Sequence, residues 1–197
     1  MSQQQCSKKT MSLEEVPGRV FLDTCVVNFM LDHGAEIHDG VEPADTADAR
    51  TADDVLALRN LFITGQRAQW QLAVSPYTYS EIAQTRDIAR FSGLRSWFEE
   101  LWVYWRSVVS SGNDLPNFIE AEELRVRMLT SDFLSVLPDV SDRVLICDAL
   151  VYRCDLFCTR DWTTILKRRD ELTGLPFEIV TPSEWWARIR RFAALWA

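Results

Sequence analysis

The sequence predicts an α/β domain with a central, mainly parallel sheet flanked by helices. Short apolar runs rich in β-branched and aromatic residues alternate with longer stretches in which apolar residues recur every three or four positions. This alternation is typical of strand–helix–strand units in parallel sheets. Acidic residues closely follow several predicted strands, and α/β folds place their sites at the carboxyl ends of parallel strands.

Each predicted element follows from local composition: apolar runs indicate strands, helical spacing indicates helices, and clusters of Gly, Pro and acidic residues indicate loops. Residues 1–17 are polar and are predicted to form a flexible arm, followed by a single domain over residues 18–197. In order, that domain is predicted to contain a strand at 19–22, a helix at 26–31, an acidic loop insertion at 32–50, a helix capped near Thr51, a strand at 71–74, a helix begun by Ser75 and Pro76, an aromatic helix at 90–112, a helix at 119–128, a brief strand or turn at 134–137, a helix capped by Ser141, a strand at 155–158, a helix at 162–172, a strand at 177–180 and a C-terminal helix at 183–197.

Length and composition restrict the class of protein. With 197 residues, of which 47% are hydrophobic, the chain can build one well-packed domain. No apolar run approaches the roughly 20 residues of a membrane helix, and the N-terminus lacks the apolar segment of a signal peptide. We therefore expect a cytoplasmic protein without a membrane partner. The five cysteines show no zinc-type spacing, which predicts reduced thiols that are mostly packed in the interior.

The charge distribution argues against one class of function. A net charge of −8 argues against a protein that binds nucleic acid through a broad basic face. A local basic rim is still available in the last third of the chain, although a solvated face is the simpler interpretation of its first three members. These basic residues are Lys167, Arg168, Arg169, Arg188, Arg190 and Arg191.

The aromatic helix is predicted to pack into the core, with a dimer or partner surface as the alternative. Its large residues recur at three- and four-residue spacing. Glu99 and Glu100 interrupt them, whereas base-stacking surfaces usually carry Arg or Lys. The stripe consists of Trp97, Phe98, Leu101, Trp102 and Trp105.

Four acidic residues form the candidate site. Asp23 follows the first strand, Glu81 lies in the helix after the second, Asp142 opens a later helix, and Asp161 follows the strand at 155–158. Carboxylates gathered at one edge of a sheet would repel one another unless a hard divalent cation lay among them. The arrangement predicts a phosphodiester-cleaving site that uses Mg²⁺ or Mn²⁺, with either one or two ions.

The order of these motifs resembles the PIN-domain family, which includes bacterial toxin ribonucleases and eukaryotic RNA-processing nucleases. The resemblance spans residues 19–182, and the nineteen-residue step from Asp142 to Asp161 is typical of the family. It implies a PIN-like three-layer sandwich and a metal-dependent endoribonuclease acting on RNA. A toxin role would add an antitoxin protein as a partner. The matching motifs are Asp23-Thr24-Cys25, the segment from Ser75 to Glu81, the helix start at Asp142, and Thr159-Arg160-Asp161.

Each matched residue then has an expected role. Asp23 is the central metal ligand, Asp142 and Asp161 are further ligands, and Glu81 is a ligand or orients the attacking water. The resemblance implies that Thr159 donates a hydrogen bond to a ligand carboxylate. The remaining supporting residues are Thr24 and Asn28 beside the ligands, and Arg160 as a phosphate contact.

The sequence departs from the family pattern at one site position and leaves another acid open. Cys25 stands where Asn or Ser is common, and a thiol is a poorer hydrogen-bond donor. Asp148 lies about 240° around the helix from Asp142, so it is expected to be a solvated helix residue rather than a ligand. His33 and His38 lie in the predicted polar loop, where we expect no ligand role.

Other interpretations of the acids remain open. Asp142 and Asp161 could simply favour helix N-termini, and Glu81 could be an exposed first-turn acid. A non-catalytic binding or scaffold protein on the same fold is the main alternative function. A haloacid-dehalogenase-like phosphatase is a third, but that family usually has a second Asp where this chain has Cys25.

Overall fold

A computed structural model describes residues 16–43, 48–111, 115–116 and 118–195. Most of the arm predicted at residues 1–17 lies outside this range. The strands are β1 Arg19–Leu22, β2 Gln71–Ala73, β3 Leu156–Cys158 and β4 Glu178–Val180; the α-helices are α1 Thr24–Asp32, α2 Gly34–His38, α3 Ala49–Ala68, α4 Pro76–Ile82, α5 Ile88–Ser111, α6 Phe118–Thr130, α7 Val140–Val151, α8 Ile165–Arg168 and α9 Pro182–Ile189; 3₁₀ turns cover Asp132–Leu134 and Arg190–Leu195.

The four strands form one parallel sheet in the order β2-β1-β3-β4, which confirms the predicted α/β class. At the centre, Phe21 lies opposite Ala73 on one side and Phe157 on the other. The chain leaves β1 towards β2 and later returns to the far side of β1 as β3. The strand order therefore reverses between β1 and β3, and such a switch point opens a crevice at the carboxyl ends of the strands.

Helices cover both faces of the sheet. Successive strand residues point to opposite faces, and each face packs against its own set of helices to form a separate hydrophobic core. Val20 and Leu22 pack with α1, α3, α5 and α9 on one face. Phe21 and Phe157 pack with α7 and the C-terminal part of α5 on the other. The aromatic helix is confirmed as a core element, since Phe98, Leu101 and Trp105 are buried.

Three predicted segments differ from the structure. The acidic loop at 32–50 contains α2, which buries Ile37 in the core; residues 44–47 lie outside the described range. The helix predicted at 162–172 is only α8, one turn long, because the segment begins with turns and Gly174 has a φ of 88°. The helix predicted at 183–197 changes to a 3₁₀ turn after Ile189.

Capping explains several helix starts. Ser75 accepts a hydrogen bond from the Tyr77 N–H, and Pro76 occupies the first turn of α4, as predicted. The other two predicted caps are wrong: Asp48 caps α3 in place of Thr51, and Asp139 caps α7 in place of Ser141.

Two further findings concern the whole chain. Cys147, Cys154 and Cys158 are free and buried, in line with the predicted packing role. Across the described ranges, no helix combines the length and apolar character needed to span a bilayer.

Candidate acidic site at the ends of β1 and β3

The centre of the site is the pair Asp23 and Thr159, which follow the neighbouring strands β1 and β3. The Asp23 N–H donates to the Cys158 carbonyl oxygen at 3.1 Å, extending the ladder between the two strands by one step. The Thr159 hydroxyl donates to Asp23 Oδ2. Asp23 is only 4% exposed. Its carboxylate is therefore held in place at the switch point between β1 and β3.

Cys25 is a second donor to the Asp23 carboxylate, although PIN domains commonly have Asn or Ser at the corresponding position. We call Cys25 and Thr159 together the clamp around Asp23. Its Sγ donates to Asp23 Oδ2 at 3.0 Å and accepts from the Arg160 N–H at 3.1 Å. Burial raises the pKa of the Cys25 thiol well above its usual range, and the Asp23 charge adds to that effect. The thiol therefore stays protonated and serves as a donor that orients the carboxylate.

Glu81 reaches the site through α1. The Thr24 hydroxyl donates to Glu81 Oε2 and lies 3.1 Å from the Thr78 hydroxyl. Burial raises the pKa of Glu81; the Thr24 hydrogen bond opposes this, and the Asp23 and Asp139 charges reinforce it. Thr24 therefore links α1 to α4 and brings the Glu81 carboxylate near the central aspartate.

Asp142 enters from the first turn of α7. Its Oδ2 is buried and has no hydrogen-bond partner among the described residues. Burial raises the pKa of Asp142 to about 6; the nearby Thr164 side chain lowers it, and the charges of Asp161, Asp23 and Asp139 raise it further. An unpaired carboxylate oxygen beside other acids is the position in this site most in need of a cation.

Asp161 lies within electrostatic range of Asp23 and Asp142, but its carboxylate makes local contacts. Oδ1 accepts from the Thr163 N–H at 2.8 Å and the Thr164 N–H at 3.0 Å, and the Thr164 hydroxyl donates to Oδ2. The backbone is also fixed, since the Asp161 N–H donates to Thr159 Oγ1 at 2.9 Å. These contacts hold the turn at residues 162–164, whereas the N-cap of α8 is Thr164 and not Asp161.

Arg160 and Asn28 have different surroundings. Arg160 Nε donates to the buried Asp54 Oδ2 at 2.8 Å, and its guanidinium carbon lies 3.6 Å from the centroid of the Phe29 ring. It therefore joins β3 to α3, and its phosphate contact stays a prediction. Asn28 Oδ1 is buried without a hydrogen-bond partner in the described part of the chain.

The carboxylate oxygens are the ligand type that Mg²⁺ and Mn²⁺ prefer, but the side chains are not arranged as a complete metal site. All the candidate ligand atoms are oxygens. Burial, and to a smaller extent the charges of neighbouring acids, raises the pKa values of Asp23, Glu81 and Asp142. Within the ranges described, no three His, Cys, Asp or Glu side chains converge into a metal-holding group. Binding would require Asp161 to turn from Thr163 and Thr164, whereas the buried Asp142 Oδ2 has no hydrogen bond to give up.

Two acids near the site were missed by the sequence analysis. Asp139 raises the pKa of both Glu81 and Asp142, and its only sequence signal was its place just before a helix. Asp54 lies in the helix predicted to start near Thr51, where no functional role was expected. Its carboxylate is buried and accepts hydrogen bonds from Arg160 Nε and, at 3.1 Å, from the Ser183 N–H.

Asp148 is not the solvated residue that its helix position predicted. It is 2% exposed. Its Oδ1 accepts from Arg125 Nε at 2.9 Å, and the Ser75 hydroxyl donates to Oδ2. It points away from the four acids, as expected, and joins α7 to α4 and α6.

Well-formed cavities occur away from the four acids. One apolar pocket of about 190 Å³ lies among Leu58, Leu61 and Trp185, and a larger cavity of about 710 Å³ lies behind α4 and α7, near Asp148. None of the four acids lines either cavity.

The raised pKa of Asp142 predicts a pH-dependent effect of Asp142→Asn on stability. A carboxylate whose pKa rises on folding destabilises the folded state as pH rises through the interval between its usual value of 3.8 and about 6. In EDTA, the variant should therefore be more stable than the wild type by about 1 kcal/mol above pH 6, after allowance for solvent screening of this half-buried group. Below about pH 4 the difference should vanish.

Urea denaturation across this pH range measures the effect. Asp132 is exposed, so Asp132→Asn serves as a charge-matched control. The difference in unfolding free energy between this variant and the wild type should not change with pH. A stability difference that stays constant from pH 4 to pH 7.5 would contradict the assigned cause.

Comparison with known proteins adds no relative: no protein-family model, curated protein or solved structure matches the chain at a significant level.

Proposed function

We propose that the protein is a metal-dependent ribonuclease that hydrolyses RNA phosphodiester bonds at the acidic site. The observation that carries the proposal is the buried Asp23 carboxylate at the β1–β3 switch point, with the charges of Asp142 and Asp161 within electrostatic range. Such a group has little structural use, because its burial and mutual repulsion oppose the folded state. A divalent cation and a phosphate substrate would give it a function.

The residues support a division of tasks. Asp23, Asp142 and Asp161 would hold Mg²⁺ or Mn²⁺, which supplies charge for the phosphate oxygens and lowers the pKa of bound water. Cys25 and Thr159 fix the Asp23 carboxylate. Glu81, held by Thr24, would orient the attacking water and accept its proton. The water oxygen bonds to phosphorus as the bond to the leaving oxygen breaks, and solvent protonates that oxygen.

The test is cleavage of labelled single-stranded RNA by the purified protein, with Mn²⁺ or Mg²⁺ compared with EDTA. We expect cleavage that requires the ion and returns when excess Mn²⁺ is added after EDTA. Cleavage that persists in EDTA would indicate a contaminating or metal-independent nuclease. No cleavage, together with no binding of Mn²⁺, would contradict the proposal.

A non-catalytic binding protein is the second candidate function. The observation that favours it is the saturation of both Asp161 oxygens by Thr163 and Thr164, which leaves the acids short of a ready-made metal group. Binding of an antitoxin protein is compatible with either candidate function. It would be detected as a stable complex in which the partner covers the acids. Homodimer formation can be measured by light scattering.

A further inference from the structure

An exposed aromatic residue directly follows one of the four acids in the chain. Trp162 follows Asp161 in the turn before α8 and is 42% exposed. The turn is well defined, because the Trp162 N–H donates to the Arg160 carbonyl oxygen at 3.0 Å and the Asp161 carboxylate binds the next two residues. The indole is therefore presented at a fixed place rather than on a loose loop.

A cation covers this ring. The guanidinium carbon of Arg50 lies 4.7 Å from the Trp162 ring centroid. Arg50 is exposed and belongs to the first turn of α3, which is tied to the β3–α8 turn by the Arg160–Asp54 ion pair. Stacked contacts between Arg and an indole leave the guanidinium edge available for hydrogen bonds. The pair thus offers an aromatic surface and a phosphate-binding group together.

We propose that Trp162 and Arg50 bind one nucleotide of a single-stranded RNA whose backbone continues to the acidic site. The base stacks on the exposed indole, and the adjoining phosphate pairs with the Arg50 guanidinium. The proposal rests on the proposed ribonuclease function, since it names how that site holds its substrate. It goes beyond that function by assigning two substrate-binding residues, Arg50 on α3 and Trp162 in the β3–α8 turn that also carries Asp161.

Charge and exposure favour this place over the other aromatic cluster. The chain has a net charge of −8, so a phosphate near the acids needs a local cation. Aromatic stacking with a neighbouring Arg is the chemistry that holds single-stranded nucleic acids without regard to base identity. On α5, by contrast, Trp105 is buried and Glu99 pairs with Arg95.

The experiment measures RNA binding without cleavage. Fluorescence anisotropy of a labelled single-stranded RNA is recorded with the Asp23→Asn protein and, independently, with the wild-type protein in EDTA. Trp162→Ala should raise the Kd about tenfold, whereas Trp162→Phe should retain most of the affinity. Arg50→Gln should raise Kd and reduce the slope of log Kd against log salt by about 0.7, the value for one phosphate contact on a single strand.

Two controls separate stacking from general charge effects. Arg106→Gln removes the same charge from an exposed position on α5 and should leave the Kd for RNA unchanged. A ribose-phosphate strand without bases should bind the Trp162→Ala protein and its parent equally well. Equal RNA affinity of Trp162→Ala and its parent would overturn the proposal, as would an equal loss in Arg106→Gln and Arg50→Gln.

Failure of this inference can be told apart from failure of the proposed function. Normal metal-dependent cleavage by Trp162→Ala, with unchanged Kd, would remove the nucleotide site and leave the nuclease. RNA binding that depends on Trp162, in a protein that never cleaves, would support the nucleotide site and remove the nuclease.

Discussion

Asp23→Asn is expected to reduce metal-dependent RNA cleavage at least about 100-fold, since even residues that only support a metal ligand commonly contribute 10–100-fold. Asn can still accept hydrogen bonds from Cys25 and Thr159 but lacks the charge that attracts a cation. The measurement is the initial rate of RNA cleavage in saturating Mn²⁺, with the free energy of unfolding determined on the same preparation.

Stability serves as the internal control for this variant. Burial raises the pKa of Asp23, so the ionised carboxylate opposes folding at neutral pH, and Asn should not lower stability there. Asp132→Asn removes an exposed charge and should leave the cleavage rate unchanged. Full cleavage by the Asp23→Asn protein would refute the site assignment, whereas loss of both cleavage and folding would assign Asp23 a structural role.

Asp148→Ala is expected to destabilise the protein by about 3 kcal/mol, the lower end of the range for breaking a buried ion pair. The substitution removes the partner of Arg125 and of the Ser75 hydroxyl, which joins α7 to α6 and α4. Arg125 keeps some contact with solvent, which limits the loss. Urea denaturation at neutral pH measures it.

Glu122→Ala provides the matched control, because Glu122 also pairs with Arg125 but its side chain is 45% exposed. A surface pair of this kind contributes about 1 kcal/mol or less. Replacing both partners, as Asp148→Leu with Arg125→Met, should recover much of the stability because no buried charge is left unpaired and Glu122 is exposed to solvent. Equal losses for Asp148→Ala and Glu122→Ala would contradict the buried-pair argument.

Local sequence signals were sufficient to predict the strands of the sheet and to predict that acidic residues follow these strands in the chain. The apolar run before Asp23 forms a buried strand, and Ser75 with Pro76 begins a helix, as predicted. The apolar run before Thr159 likewise formed β3. These predictions succeeded because each depends on residues adjacent in the chain.

Predictions failed where distant contacts decide the outcome. Asp148 has the spacing of an exposed helix residue, but Arg125 lies on α6 and Ser75 at the start of α4, and no local pattern shows that they meet. Residues 162–164 have reasonable helical spacing, yet the Asp161 carboxylate takes the Thr163 and Thr164 N–H groups and holds the chain in a turn. Exposure of Trp162 follows from that turn and could not be anticipated from periodicity.

The hydrogen bond between Asp23 and Thr159 joins residues 136 positions apart. During synthesis, β1 leaves the ribosome long before β3 exists, so a nascent chain that lacks β3 cannot form the contacts around Asp23. Closing so large a loop also makes this contact a slow one to form. Any activity of the acids is therefore withheld until β3 has been synthesised and has paired with β1.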